Sequence, residues 1–157
     1  MIGTKRIERL ETEIEKIKTK YNPKTIEDLI KVAMNEYGVV NVIKTPLVCD
    51  ASITTKNRKN FYIFYYASFK PHEMHTLGHE LGHIASGHFN RIKFELSDLE
   101  DEADYFSAKL CGISLIKYKI YENIDAILSF KEMFMDIFRH EREIERLEQM
   151  GVYQFLK

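Results

Sequence analysis

Five of the six histidines in this 157-residue chain, His72, His75, His79, His83 and His88, fall in one short stretch, and within it His79-Glu80-Leu81-Gly82-His83 spells H-E-x-x-H. On a helix, residues i and i+4 share a face, so His79 and His83 are placed to bind a single Zn²⁺ together. Glu80 projects about 100° around the helix from His79, which keeps it off the ion but within reach of a water bound there. The spacing assigns His79 and His83 as metal ligands and Glu80 as general base. A chance match in a chain of this length arises in well under about one sequence in a hundred at average residue usage, so histidines on a merely solvated face explain the pattern poorly.

A catalytic zinc needs a third protein ligand and leaves a fourth position open. The pattern H-E-x-x-H-x-x-G-x-x-H would require Gly at 86 and His at 89, where this chain has Ser86 and Phe89, and His88 falls at the wrong offset. A following helix offers Glu100-Asp101-Glu102-Ala103-Asp104 instead. There Glu100 serves as third ligand and Asp104, one turn on, accepts the free N–H of a ligand histidine and fixes its tautomer. Two alternatives stay open. Ser97-Asp98-Leu99-Glu100 also reads as a capping box that would turn Glu100 back onto Ser97, and Glu102 is the substitute ligand.

With zinc held this way, bound water is acidified toward a pKa of ~7 and a peptide carbonyl is polarised; Glu80 takes the water's proton and passes it to the leaving amine. A donor for the oxyanion is required as well, and His75, His88, Tyr66 and Tyr105 are all candidates. His75, one turn before His79, reads equally as a substrate contact or as an exposed histidine.

The elements that must position these groups follow from hydrophobic periodicity. Ile7, Leu10, Ile14 and Ile17 form the apolar stripe of a first helix, docked on its own domain. Asn22-Pro23 opens a second, with Ile26, Leu29, Ile30, Ala33 and Met34 inward and a stop near Gly38. Strands follow at Val39 to Ile43, Leu47 to Thr55 and Phe61 to Tyr66, the last two forming a hairpin around Lys56 to Asn60. The Phe61 to Tyr66 strand is read as an edge on which an extended substrate pairs, so that Phe64→Pro impairs cleavage with zinc retained.

Pro71 opens the motif helix, with Met74, Leu77, Leu81 and Ile84 inward. Gly78 and Gly82 each cost a helix about 1 kcal/mol relative to Ala, so something must approach that helix closely. Ser97 caps the next helix, which carries Leu99, Ala103, Phe106 and Leu110 and ends at Gly112. Two further helical patterns cover Glu122 to Phe130 and Lys131 to Met150, the latter with possible ion pairs of Glu141, Glu143 and Glu145 with Arg139, Arg142 and Arg146. The fold class expected is α+β: one mostly helical domain over 1–157, with N-terminal helices (1–37), a small antiparallel sheet and the active-site helices (39–112), and C-terminal helices (113–157).

Composition narrows the function classes. Lys plus Arg (23) and Asp plus Glu (24) nearly cancel, leaving no overall footprint for nucleic acid or an anionic membrane. No stretch approaches the ~18 apolar residues of a membrane span, and the N-terminus lacks a secretory h-region, so the expected location is the cytoplasm. Cys49 and Cys111 match no disulfide or C-x-x-C pattern, in keeping with a reducing compartment. Both read as small buried hydrophobes, the alternative for Cys49 being a thiolate that masks the zinc.

The run Thr76-Leu77-Gly78-His79-Glu80-Leu81-Gly82-His83, followed by Glu100-x-x-Ala103-Asp104-x-Phe106-Ser107, resembles the ImmA/IrrE family of zinc metallo-endopeptidases. The likeness is specific from about Leu47 to Gly112. It departs mildly at Gly78 and Ser107, both usually alanine in that pattern. The resemblance implies a zincin-like fold, one Zn²⁺ on His79, His83 and Glu100 with Glu80 as catalyst, and a protein substrate: a helix-turn-helix repressor, often encoded on a mobile element or in a stress-response operon. The rival readings are a non-catalytic regulator that binds a repressor or antitoxin, a nucleic-acid regulator using the C-terminal arginines, and a hydrolase of other esters or amides.

Overall fold

The computed structural model describes residues 3–45, 51–91 and 96–149. Two N-terminal helices, α1 (Thr4–Lys20) and α2 (Ile26–Glu36), precede three strands, β1 (Val39–Lys44), β2 (Ala51–Thr55) and β3 (Phe61–Tyr65). Helix α3 (Lys70–Ala85), a 3₁₀ turn (His88–Asn90), α4 (Leu96–Cys111) and the long α5 (Leu115–Gln149) complete the chain, which is α+β and mostly helical.

The N-terminal helices form for the reasons their patterns gave. Leu10, Ile14 and Ile17 of α1 are buried in the core together with Leu29, Val32 and Ala33 of α2. Helix α2 starts later than Asn22-Pro23 suggested, because Thr25 closes a full capping box with Asp28. Met34 faces outward and Val32 takes the inward place beside Leu29. At the end of α2 the chain turns through Gly38, whose φ of +66° and 2.3 Å approach of the Lys59 carbonyl to a hypothetical Cβ both demand glycine.

The sheet is mixed, not purely antiparallel. Its order is β1-β3-β2, with β1 parallel and β2 antiparallel to β3. The hairpin is as read, pairing Ala51 with Tyr65 and Thr55 with Phe61. The edge assignment reverses: β3 is the central strand, with Phe61, Ile63 and Tyr65 buried, and β2, carrying Ser52 and Thr54 outward, is an edge. Its burial alternates, with Tyr62 exposed between Phe61 and Ile63, so one face of the strand meets the core. Phe64→Pro would therefore break the sheet itself and say nothing about substrate pairing. Residues 47–50, including Cys49, lie outside the described residues.

Helices α3 and α4 pack face to face, and the glycines of α3 are the reason they can. A Cβ on Gly82 would sit 2.8 Å from the Ala103 Cα, and one on Gly78 would sit 2.7 Å from the Ser107 Oγ. That Oγ instead donates to the His75 carbonyl at 2.8 Å. All four predicted inward residues of α4, Leu99, Ala103, Phe106 and Leu110, are buried. The capping prediction fails: Leu96 is already helical, so Ser97 lies within the helix and not at its cap.

The two C-terminal patterns are one helix, α5, which begins before Glu122, at Leu115. Its buried face presents Tyr118 and Asp125, seven residues apart and so on one side of the helix. The side chains of Glu141, Glu143, Glu145 and Arg146 lie outside the described residues. Among the described residues no helix is long and apolar enough to cross a membrane.

Because Gly78 and Ser107 fill one space, their substitutions must couple. Gly78→Ala alone should destabilise the fold by about 1–2 kcal/mol through overpacking, and Ser107→Ala alone by about 1 kcal/mol for the lost bond. The double variant, in which the methyl takes the vacated space, should be more stable than Gly78→Ala. A double-mutant cycle of chemical denaturation checks this; strict additivity would contradict the contact.

Candidate metal centre

His79, His83 and Glu100 offer one ligand atom each within 4.8 Å of one another, on α3 and α4. The His79 and His83 Nε2 atoms are 3.0 Å apart. The Glu100 oxygens lie 3.2 Å from His79 Nε2 and 3.6 Å from His83 Nε2. Ligands about 2.0–2.1 Å from a tetrahedral zinc sit roughly 3.3 Å from each other, so the three atoms have the spacing of a shared ion.

The other nitrogen of each histidine is already held. His79 Nδ1 donates to Asp104 Oδ1 at 2.8 Å, and Lys119 grips the other Asp104 oxygen at 2.5 Å. The Tyr118 hydroxyl lies 3.2 Å from the same His79 nitrogen. His83 Nδ1 is 2.7 Å from His88 Nδ1, and His88 Nε2 is 3.2 Å from Glu102 Oε2. With Glu102 accepting from His88 Nε2–H, His88 Nδ1 becomes an acceptor and His83 Nδ1 the donor. Both ligand rings thus turn bare Nε2 lone pairs toward each other, an arrangement that repels itself unless a proton or a cation lies between.

The electrostatics agree. Burial works to lower the His79 pKa, yet its bonds to Asp104 and Glu100 prevail and hold it up at about 9. Burial and the neighbouring His79 charge bring His83 down to about 4. The two neighbouring rings are thus pushed in opposite directions. Glu80 is buried, and chiefly for that reason, with the Glu100 charge adding, its carboxyl rises to about 7, the range of a working general base.

These groups line a cleft of about 310 Å³. Its walls also include Ala51 from edge strand β2, His72 and Thr76 from α3, and Tyr118 and Glu122 from α5. Of the residues assigned from sequence, His79, Glu80, His83 and Glu100 are together and Asp104 braces them. Glu100 turns to the histidines, so the capping-box alternative fails with its cap.

Glu102 is corrected as a ligand. It is 1% exposed and points away from the cleft into an ion-pair cluster, 2.6 Å from Arg91 Nη2 and 2.8 Å from Arg6 Nη1. None of the four oxyanion candidates lines the cleft. His88 braces His83; Tyr66 bonds Glu132 at 3.3 Å and Tyr105 bonds Glu11 at 2.7 Å. His75 is neither exposed nor in the cleft but buried against Tyr118 and Tyr121, burial taking its pKa down to about 4. Sequence reading missed His72, although it lies seven residues before His79 on the same face, and missed Tyr118, Lys119 and Asp125, whose helix gives no sign of the face it docks with. Cys111 is half-buried beside the core, its thiol pushed up to about 12 by burial.

The chain matches no family model, no curated protein and no solved structure.

The Glu102 cluster makes a pH prediction. Burial alone would raise this carboxyl, but hydrogen bonds from Arg91, His88 and Arg6 override it and hold it at about 2. A folded-state value below the ~4.3 of an unfolded Glu adds stability that is complete above that value and is lost as pH falls through about 2. Glu102→Gln should cost about 3 kcal/mol at pH 7, with the gap from wild type narrowing steadily below pH ~4. Urea titrations at several pH values test it, and a gap that stays constant down to pH 2 would refute the assignment.

Proposed function

We propose that this chain is a zinc-dependent endopeptidase of the ImmA/IrrE kind, acting in the cytoplasm on a DNA-binding repressor. The observation that carries the reading is the convergence of two Nε2 lone pairs and one carboxylate on a point that three protein groups surround and a cleft leaves open. A purely structural zinc takes four protein ligands; among the described residues three converge here. The order of elements supports a zincin-like fold: strands, then the H-E-x-x-H helix, then the glutamate helix.

Zinc at this point would supply an activated water and a polarised carbonyl. The protein's own residues do the rest. Glu80, buried in the cleft wall beside the two histidines, takes the water's proton and returns it to the leaving nitrogen. Asp104 and His88 hold the ligand rings in one tautomer, so no reorganisation is needed as charge develops. Edge strand β2 supplies Ala51 to the cleft wall and offers an extended peptide a strand to pair with.

The two departures from the family pattern, Gly78 and Ser107, are in mutual contact, so they amount to one compensated exchange and leave the ligands undisturbed. The repressor as substrate rests on the resemblance alone. A nucleic-acid reading gains nothing from a chain with net charge −1.

Zinc content by elemental analysis, paired with cleavage of the repressor encoded nearest to this gene, tests the proposal. Wild type should bind one zinc per chain and cut. Glu80→Ala should keep zinc while losing at least about 100-fold in rate, and Glu100→Ala should lose zinc. A zinc-free wild type that cuts nothing would instead mark a binding protein that regulates by sequestration, and full cleavage by Glu80→Ala would overturn the role given to Glu80.

A further inference from the structure

The cleft holds a second histidine–carboxylate pair that the zinc chemistry does not use. His72, 3% exposed, lines the cleft and bonds Asp125 Oδ2 through Nδ1 at 3.1 Å. Asp125 has no solvent exposure, and its other oxygen accepts the Phe69 backbone N–H. Thr76 Oγ1 lies 3.4 Å from the same His72 nitrogen and donates to the His72 carbonyl at 3.2 Å. The ring is thus fixed in orientation by α5 and by its own helix.

His72 Nε2, by contrast, is buried with no hydrogen-bond partner among the described residues. A buried polar atom left unmatched costs free energy, and a protein retains one where a ligand completes it. His72 is the side chain placed on Asp125, and with Nδ1 committed to that carboxylate, Nε2 is the ring atom left for a ligand. Tyr118 is already committed: its ring packs edge-on to His72 at 5.8 Å between centroids, and its hydroxyl lies at His79.

The position along α3 defines what this atom can reach. His72 precedes His79 by seven residues, about 10 Å along the helix axis, too far to touch an oxygen bound at the metal point. An extended peptide advances about 3.3 Å per residue, so two to three residues of substrate separate the bond cleaved from the group at His72.

We propose that His72, seated by Asp125, is a specificity-determining residue of the cleft, its Nε2 hydrogen-bonding an extended peptide two to three residues from the bond cleaved. The group it meets is a main-chain amide or a polar side chain. The inference rests on the peptidase reading for its account of cleavage, but its test reads binding.

The probe is a set of fluorescently labelled, end-blocked octapeptides of randomised sequence, bound to zinc-loaded Glu80→Gln protein and followed by anisotropy. Adding His72→Leu should weaken binding roughly ten- to hundredfold, the loss expected for one buried hydrogen bond left unmatched. His72→Gln, whose amide keeps a hydrogen-bonding group near the Nε2 position, should stay within about threefold of the parent by the same reasoning. Zinc content and melting temperature certify each variant as folded. If the loss in His72→Leu is confined to peptides with one kind of polar side chain at one position, that side chain is the partner; a uniform loss identifies the main chain. Unchanged binding in folded His72→Leu, or no peptide binding by the parent, overturns the proposal. Should His72→Leu fail to fold, the ¹⁵N resonance of His72 Nε2 in the Glu80→Gln protein is the readout, and a peptide that binds without moving it is equally decisive against. If zinc-loaded wild type cuts no peptide while His72-dependent binding persists, the peptidase reading falls and this one stands.

Discussion

The close approach of α3 to α4 is the constraint on which the rest of the structure depends. Two helices carrying ordinary side chains keep their axes 8–10 Å apart. The bare Cα atoms of Gly78 and Gly82 let the backbone of Ala103 and the Ser107 hydroxyl come against α3 directly. Only at that separation can the short Asp104 side chain reach His79 and Glu100 reach both ligand histidines. The helix-propensity penalty of two glycines is thus the local cost of a global requirement, and the geometry of the site follows from it.

Helix α4 then does more than donate a ligand. Three of its carboxylates act on the histidine pair by different routes. Glu100 faces both Nε2 atoms, Asp104 holds the far nitrogen of His79, and Glu102 holds the far nitrogen of His83 through His88. Glu102 lies on another side of the helix from Glu100. It is useful there because the 3₁₀ turn after α3 carries His88 around to meet it. Arg6 from α1 and Arg91 secure the buried Glu102 charge, so the N-terminal helix, distant in sequence, takes part in fixing the tautomer of His83. Removing charge from one member of such a chain alters the orientation of the next, which is why these groups act as a unit.

The legible part of the sequence was the part whose meaning is local. H-E-x-x-H declares a face within one helix, and Glu100 with Asp104 declares another one turn apart, so the ligand set needed no knowledge of tertiary contacts. The glycines signalled a close neighbour without naming it. Sheet order was not legible, because adjacency in sequence suggested β1 beside β2, whereas the apolar run Phe61–Tyr65 claims the centre and leaves the more polar Ala51–Thr55 at an edge. The oxyanion candidates were misplaced for a related reason. Tyrosines and histidines are amphipathic, and periodicity alone does not say whether a given one faces a cleft, a core or a surface carboxylate.

Helix α5 shows most clearly where sequence reading ends. Its first turns were assigned no element, yet Tyr118, Lys119 and Asp125 reach the cleft wall, the Asp104 carboxylate and His72 respectively. A buried Asp has no apolar signature, and its neighbours in sequence look like solvated helix. What distinguishes it is the partner waiting on α3, visible only once both helices are in place. The two carboxylate–histidine pairs of the cleft, Asp104 with His79 and Asp125 with His72, thus recur two turns apart along one face of α3, each braced from another helix. In the first the free nitrogen meets two other candidate ligand atoms; in the second it meets no partner among the described residues. The same chemical device therefore recurs at two ends of one cleft, orienting a ring toward a cluster of ligand atoms at one end and an unmatched ring nitrogen at the other.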